Sequence, residues 1–193
     1  MTTQNKIINI DQTELKGSVH RIMRDMAKDN WRPDYIVGIT RGGLIPATML
    51  SHYLDIPLQT LNVSFRDADL GPESNLWMAE DAYGYVPYEG TEPPVERDPA
   101  RVTTDPARRK NILIVDDIND SGRTLNWIKQ DWASGCLPND PDWADIWGSN
   151  VRFATVVNNE ASEFKDVDYA GLTINKLEEP SWVVFPWECW WEN

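Results

Sequence analysis

Apolar positions along this chain alternate between two rhythms. Over Asp11 to Asn30, Leu15, Val19, Ile22, Met23 and Met26 recur at helical spacing, the stripe of an amphipathic helix. Asp11 or Thr13 is suited to cap it, and Trp31-Arg32-Pro33 ends it. His20 lies beside the stripe and reads as a boundary residue. Tyr35 to Ile39 predicts a strand, Leu44 to Leu54 a helix, and Pro57 to Val63 a further strand. Later, Ile112-Leu113-Ile114-Val115 is a short all-apolar run of the kind buried on both faces of a parallel sheet. A helix over Thr124 to Trp132 follows, then strands over Val151 to Val157 and Val167 to Ile174. The pattern predicts an α/β fold, a mostly parallel twisted sheet flanked by helices.

Two stretches break the rhythm. Residues 64–110 are irregular and rich in proline and acidic residues, with a helix expected at most around Asn75 to Ala82. Structureless insertions of that length act as lids or mobile loops. The segment ends in Ala107-Arg108-Arg109-Lys110, a dense basic cluster that fits either a solvated charge run or a phosphate contact. Residues 133–150 read as an inserted loop packed by Trp143 and Trp147. No repeat or internal boundary divides the chain, and 193 residues suit one domain spanning 1–193.

Composition narrows the partners. A net charge of −13 argues against general nucleic-acid binding, which requires many phosphate-neutralising cations. An anionic substrate would need a local basic site or a metal ion. Two cysteines without a C-x-x-C spacing imply a reduced, cytoplasmic protein without structural zinc. No apolar run is long enough for a membrane span, and none forms a signal segment near the start.

Candidate chemistry sits at two strand-to-helix junctions, the carboxyl edge at which open α/β sheets bind ligands. After the run 112–115 come Asp116 and Asp117, then Asp120-Ser121-Gly122-Arg123-Thr124. A Gly/Ser/Thr turn opening a helix offers backbone N–H groups and a positive dipole end to a phosphate. After the run 35–39 comes Thr40-Arg41-Gly42-Gly43, in which glycines admit a ligand close to the backbone and the arginine fork suits phosphate oxygens. The end of the chain, Pro180 to Asn193 (PSWVVFPWECWWEN), fits equally a flat pocket for a base and a hydrophobic contact patch.

NILIVDDINDSGRTL resembles the ribose-phosphate motif of the type I phosphoribosyltransferases. TRGGLIPA resembles the pyrophosphate loop of the purine-specific members, and W-V-V-F-P-W-E their C-terminal base segment, closest to the xanthine-guanine and related 6-oxopurine enzymes. The resemblance implies transfer of a 5-phosphoribosyl group from phosphoribosyl pyrophosphate to a purine base in purine salvage, with Mg²⁺ as the metal and a homodimer or homotetramer as the assembly. It assigns Asp116, Asp117, Asp120, Ser121, Gly122, Arg123 and Thr124 to the phosphoribosyl group. Thr40, Arg41 and Gly42 take pyrophosphate, with a non-proline cis peptide at Thr40-Arg41. Asp116 and Asp117 lie near the metal, and Asp120 is the base for the purine N7 proton. Trp182 stacks on the purine and Val183 meets it through its backbone. The segment 64–110 becomes a long hood over the reacting centre.

One departure stands out. Relatives carry a lysine for the purine 6-oxo group after the strand matching 151–157, whereas this chain has Asn159 there. Val184 also replaces a polar residue used toward the 2-substituent. The same fold serves some regulators that bind the ribose phosphate without catalysis, the competing expectation.

Overall fold

Helix α1 runs over Gln12–Lys28 and is started by a capping box: Asp11 accepts from the Glu14 N–H at 2.8 Å, and Glu14 accepts from the Asp11 N–H at 2.9 Å. In the computed structural model, which describes residues 6–63, 75–86 and 103–188, the predicted elements recur with small shifts. They are β2 (Tyr35–Thr40), α2 (Leu44–Leu54), β3 (Leu58–Asn62), β6 (Ile112–Asn119), α4 (Arg123–Gly135), β7 (Val151–Asn159) and β8 (Tyr169–Ile174). The patterns did not reveal β1 (Lys6–Asn9) and β9 (Ser181–Val184), which pair with each other in parallel. Four residues are too few to show a period, and each strand's partner lies at the far end of the chain.

Inside the long irregular segment, α3 (Leu76–Tyr83) occupies the place of the expected short helix. It is followed by the two-residue strands β4 (Tyr85–Val86) and β5 (Thr103–Thr104), which pair antiparallel. Residues 64–74 and 87–102, the larger part of the expected hood, lie outside the described residues. The expected loop at 133–150 contains a short helix, α5 (Trp143–Ile146). Trp143 and Trp147 do pack it, stacked at 5.3 Å, with Trp147 lying 5.9 Å from the Phe153 ring.

The main sheet is parallel, in the order β3-β2-β6-β7-β8. Alternate residues of β6 enter two cores: Ile112 and Ile114 face Ala79, Ile128 and Trp132, while Leu113 and Val115 face Leu15, Ile22 and Leu50. Thus α3 and α4 cover one face and α1 and α2 the other. From β2 the chain steps outward to β3, then returns to β6 and continues the opposite way to β7 and β8. The reversal falls between β2 and β6, and their carboxyl ends flank the crevice in which open α/β sheets take ligands.

Two residues of the basic cluster make fold contacts. Arg109 pairs with Asp142 at 2.8 Å with its guanidinium 5.6 Å from the Tyr83 ring, and Lys110 pairs with Asp81 at 3.0 Å. His20 is exposed, its ring tilted against that of Tyr53 with centroids 5.5 Å apart, on the solvent side of the boundary position expected for it. Asp11→Ala removes the cap of α1. Urea denaturation should show a loss of about 1 kcal/mol with an unchanged slope.

Candidate active site at the β2–β6 crevice

The two glycine-bearing junctions meet. The loop after β2 lies so close to β6 that neither glycine has room for a side chain. A Cβ on Gly43 would fall 2.6 Å from the Val115 carbonyl and 2.8 Å from that of Ile39, both backbone atoms. One on Gly42 would run into the Asp117 carboxylate. The Thr40-Arg41 peptide is cis, as the resemblance implied. Thr40 Oγ1 donates to Asn62 Oδ1 at 3.0 Å, fixing the loop to β3, and Arg41 stands exposed.

The acid pair lies within the strand, because β6 continues in register with β7 as far as Asn119↔Asn158. Asp116 is buried, and its Oδ1 accepts from the Asp117 N–H at 3.0 Å. Asp117 Oδ1 accepts from the Ile118 N–H at 2.8 Å. Burial pushes the Asp116 carboxyl well above the usual carboxylate range, and the neighbouring Asp117 charge adds to this. Burial also raises Asp117, which the Asp116 and Ile118 hydrogen bonds offset in part; the Glu188 charge raises it further. Glu188, at the end of the Trp-Pro-Trp segment, is therefore near enough for its charge to act on Asp117, which its position in the sequence did not reveal. It accepts the Phe185 N–H at 2.9 Å, and Trp187 stacks on Phe185 at 4.8 Å.

The turn after β6 is braced from behind. Gly122 has φ 87° and caps α4, and a Cβ there would meet Ser162 Oγ at 2.7 Å. A side chain is excluded both by conformation and by space. Buried Asn119 donates to Asn158 Oδ1 at 2.8 Å and to the Phe164 carbonyl at 3.0 Å, and accepts from Ser162 Oγ at 2.7 Å. The Glu163 N–H donates to the Ser121 carbonyl. With this bracing, exposed Ser121 and Arg123 and half-buried Thr124 stand at the N-terminus of α4. Such an end suits an anion.

Asn159 does not present a free amide. It is buried, its Nδ2 donates to the Asp120 carbonyl at 2.9 Å, and its Oδ1 accepts from the N–H groups of Ala161 at 3.1 Å and Lys176 at 3.0 Å. Lys176, which sequence reasoning passed over, places its ammonium 2.7 Å from Asp120 Oδ1. Trp182 is exposed on β9 and registers with Ile7, while the Val183 side chain is buried in the core.

A description of the phosphoribosyl transferase domain family matches residues 9–193. The chain belongs to the phosphoribosyltransferase family. The xanthine-guanine phosphoribosyltransferase of Cereibacter sphaeroides is 28% identical over 182 residues, covering 88% of this chain and 82% of the relative. The hypoxanthine-guanine enzyme of Schizosaccharomyces pombe is 22% identical, covering 90% and 86%. Among solved structures, the purine phosphoribosyltransferase from Pyrococcus horikoshii superposes with a TM-score of 0.58 at 24% identity, covering 95% and 94% of the two chains. That likeness shows the fold. Among the described residues, no helix is long and apolar enough to cross a membrane.

Gly43→Ala forces backbone against backbone, whereas Gly42→Ala asks only the Asp117 carboxylate to turn. Gly43→Ala should therefore lose roughly 1–3 kcal/mol in urea denaturation and Gly42→Ala clearly less. Equal losses would contradict this account of the junction.

Proposed function

We propose that this phosphoribosyltransferase moves the 5-phosphoribosyl group of phosphoribosyl pyrophosphate onto a 6-oxopurine (hypoxanthine, guanine or xanthine), releasing pyrophosphate in purine salvage. The observation that carries the reading is the meeting of the Arg-Gly-Gly loop, the acid pair and the Ser-Gly-Arg-Thr turn at the single point where the strand order reverses. The names of the bacterial and yeast relatives support the purine class.

In this reading the N–H groups and hydroxyls of Ser121 to Thr124 hold the 5′-phosphate. Asp116 and Asp117 take the ribose hydroxyls, and Thr40, Arg41 and Gly42 take the pyrophosphate. Trp182 offers an exposed flat ring to the purine, and Val183 offers its backbone. Asn159 serves the base at one remove, by holding Asp120. Among the described residues no cluster of three acidic, histidine or cysteine side chains forms a metal cage. Two adjacent carboxylates completed by water and pyrophosphate oxygens are instead the donor set Mg²⁺ favours. Asp116 and Asp117 fit it, and the ion would offset the charge of the departing pyrophosphate.

The bond from the ribose anomeric carbon to pyrophosphate oxygen breaks, and its electron pair leaves with pyrophosphate. Purine N9 bonds to that carbon, and the N7 proton passes to Asp120. Positive charge on the sugar at the transition state is stabilised by the nearby carboxylates, as in glycoside chemistry. Arg41 and the loop amides meet the charge that develops on the leaving group. The chain is read as one catalytic domain, working in the cytoplasm as a homodimer or homotetramer, with 64–110 as its hood.

The test is pyrophosphate release with hypoxanthine, guanine, xanthine and adenine, each with phosphoribosyl pyrophosphate and Mg²⁺. Turnover of the oxo bases is expected, and none with any base would reject the reading. Asp120→Asn should lower kcat by about 10²-fold or more while binding of phosphoribosyl pyrophosphate changes far less. Unchanged turnover would remove Asp120 from the proton-accepting role. Chelation of the metal should abolish turnover, and Mg²⁺ should restore it.

A further inference from the structure

Three strand ends are held together by one buried side chain. Asn159, 6% exposed, joins the end of β6 through the Asp120 carbonyl, its own loop through the Ala161 N–H, and the segment after β8 through the Lys176 N–H. Each polar atom of its amide is thereby engaged with backbone. The arrangement sets the Lys176 ammonium 2.7 Å from Asp120 Oδ1, with the lysine side chain 18% exposed and the aspartate side chain 49% exposed.

The pair is asymmetric in a useful way. The half-exposed carboxylate can receive a further group, while the lysine stem is largely covered and its head is held at the carboxylate. An ammonium has three N–H donors and no acceptor. Its contact with Asp120 Oδ1 takes one of them, which leaves donors for a second partner. The two residues thus offer an acceptor and a donor side by side.

A purine presents a matching edge. N7 and the 6-substituent are neighbours on one side of the ring, and a 6-oxo group is an acceptor whereas a 6-amino group donates. With N7–H directed at Asp120, a 6-oxo group beside it meets a donor. A 6-amino group in the same pose meets only N–H groups. Discrimination is strong when a buried polar group of the site is left unpaired by the wrong substrate.

We infer that Lys176 is the specificity-determining cation of the base site, donating to the 6-oxo group beside Asp120, and that Asn159 is the positioning residue that puts it there. The inference rests on the purine reading above. The cation comes from the end of β8, not from the end of β7, where Asn159 stands.

The test uses wild-type protein, Lys176→Met and Lys176→Arg, with hypoxanthine and adenine as competing bases. Lys176→Met should lose on the order of 10- to 100-fold in kcat/KM for hypoxanthine, the worth of a charged hydrogen bond. Its hypoxanthine-to-adenine ratio should fall toward unity, and its Kd for phosphoribosyl pyrophosphate should stay within about twofold. Lys176→Arg should recover part of the preference. An unchanged ratio in Lys176→Met would overturn the inference. So would a parallel loss for both bases together with weakened phosphoribosyl pyrophosphate binding, since that is what a structural brace would give. Wild-type preference for adenine would overturn it as well. Should no base be turned over, the proposed function fails, and binding of inosine and adenosine monophosphates decides this point separately. A wild-type preference for the inosine nucleotide that Lys176→Met abolishes supports Lys176, and equal binding by both proteins rejects it.

Discussion

The contact between the loop after β2 and the acid-bearing end of β6 is the constraint on which the site depends. Gly43 lies against the Val115 and Ile39 carbonyls, and Gly42 against the Asp117 carboxylate, at separations that leave no place for a Cβ. That closeness requires β2 and β6 to be neighbours, which their parallel pairing provides. It also requires α2 to start close above the sheet. Gly38 allows this, since a Cβ there would lie 2.9 Å from Ala47 Cβ and Leu44 Cδ2. The glycine loop after β2 and the acid pair of β6 then meet in one crevice.

Around that contact, buried amides do the positioning. Asn119 ties the end of β6 to Asn158, Ser162 and Phe164, and Asn159 ties the ends of β6, β7 and β8. Such groups are costly to bury unless every donor and acceptor is met, and when met they select one arrangement over others. The exposed side chains of Arg41, Asp120 and Ser121 are thus presented by a frame held through buried amides and backbone groups, the Asp120 and Ser121 carbonyls among them. Surface ion pairs add little to folding, so the pairing of Lys176 with Asp120 is better understood by where it puts two charges than by the stability it brings.

Much of this was legible in one dimension. The run Ile112 to Val115 implied a strand buried on both faces, and it lies at the centre of the sheet. The stripe of α1 and its Asp11 cap were readable because helix period and capping chemistry are local. The Arg-Gly-Gly loop, the acid pair and the Ser-Gly-Arg-Thr turn each occupy a few consecutive residues, so their chemistry was also local. The extent of β6 was not, because whether Asp116 to Asn119 continue a strand depends on Thr155 to Asn158 being alongside. The pairing of β1 with β9 was hidden for the same reason, as was the conversion of Arg109 and Lys110 into ion pairs with Asp142 and Asp81.

The pairing of Asp120 with Lys176 shows the division most clearly. The resemblance set Asn159 in the place of a lysine expected to meet the base, and the sequence shows Asp120 following the acid pair. It offered no reason to select Lys176, which lies 56 positions beyond Asp120 in a segment without a motif. Only the folded chain brings them to 2.7 Å, through an amide that sequence had set against the substrate. Local order determines which groups a turn can offer; a charge pair at a site depends on distances between strand ends, and those exist only once the sheet has assembled.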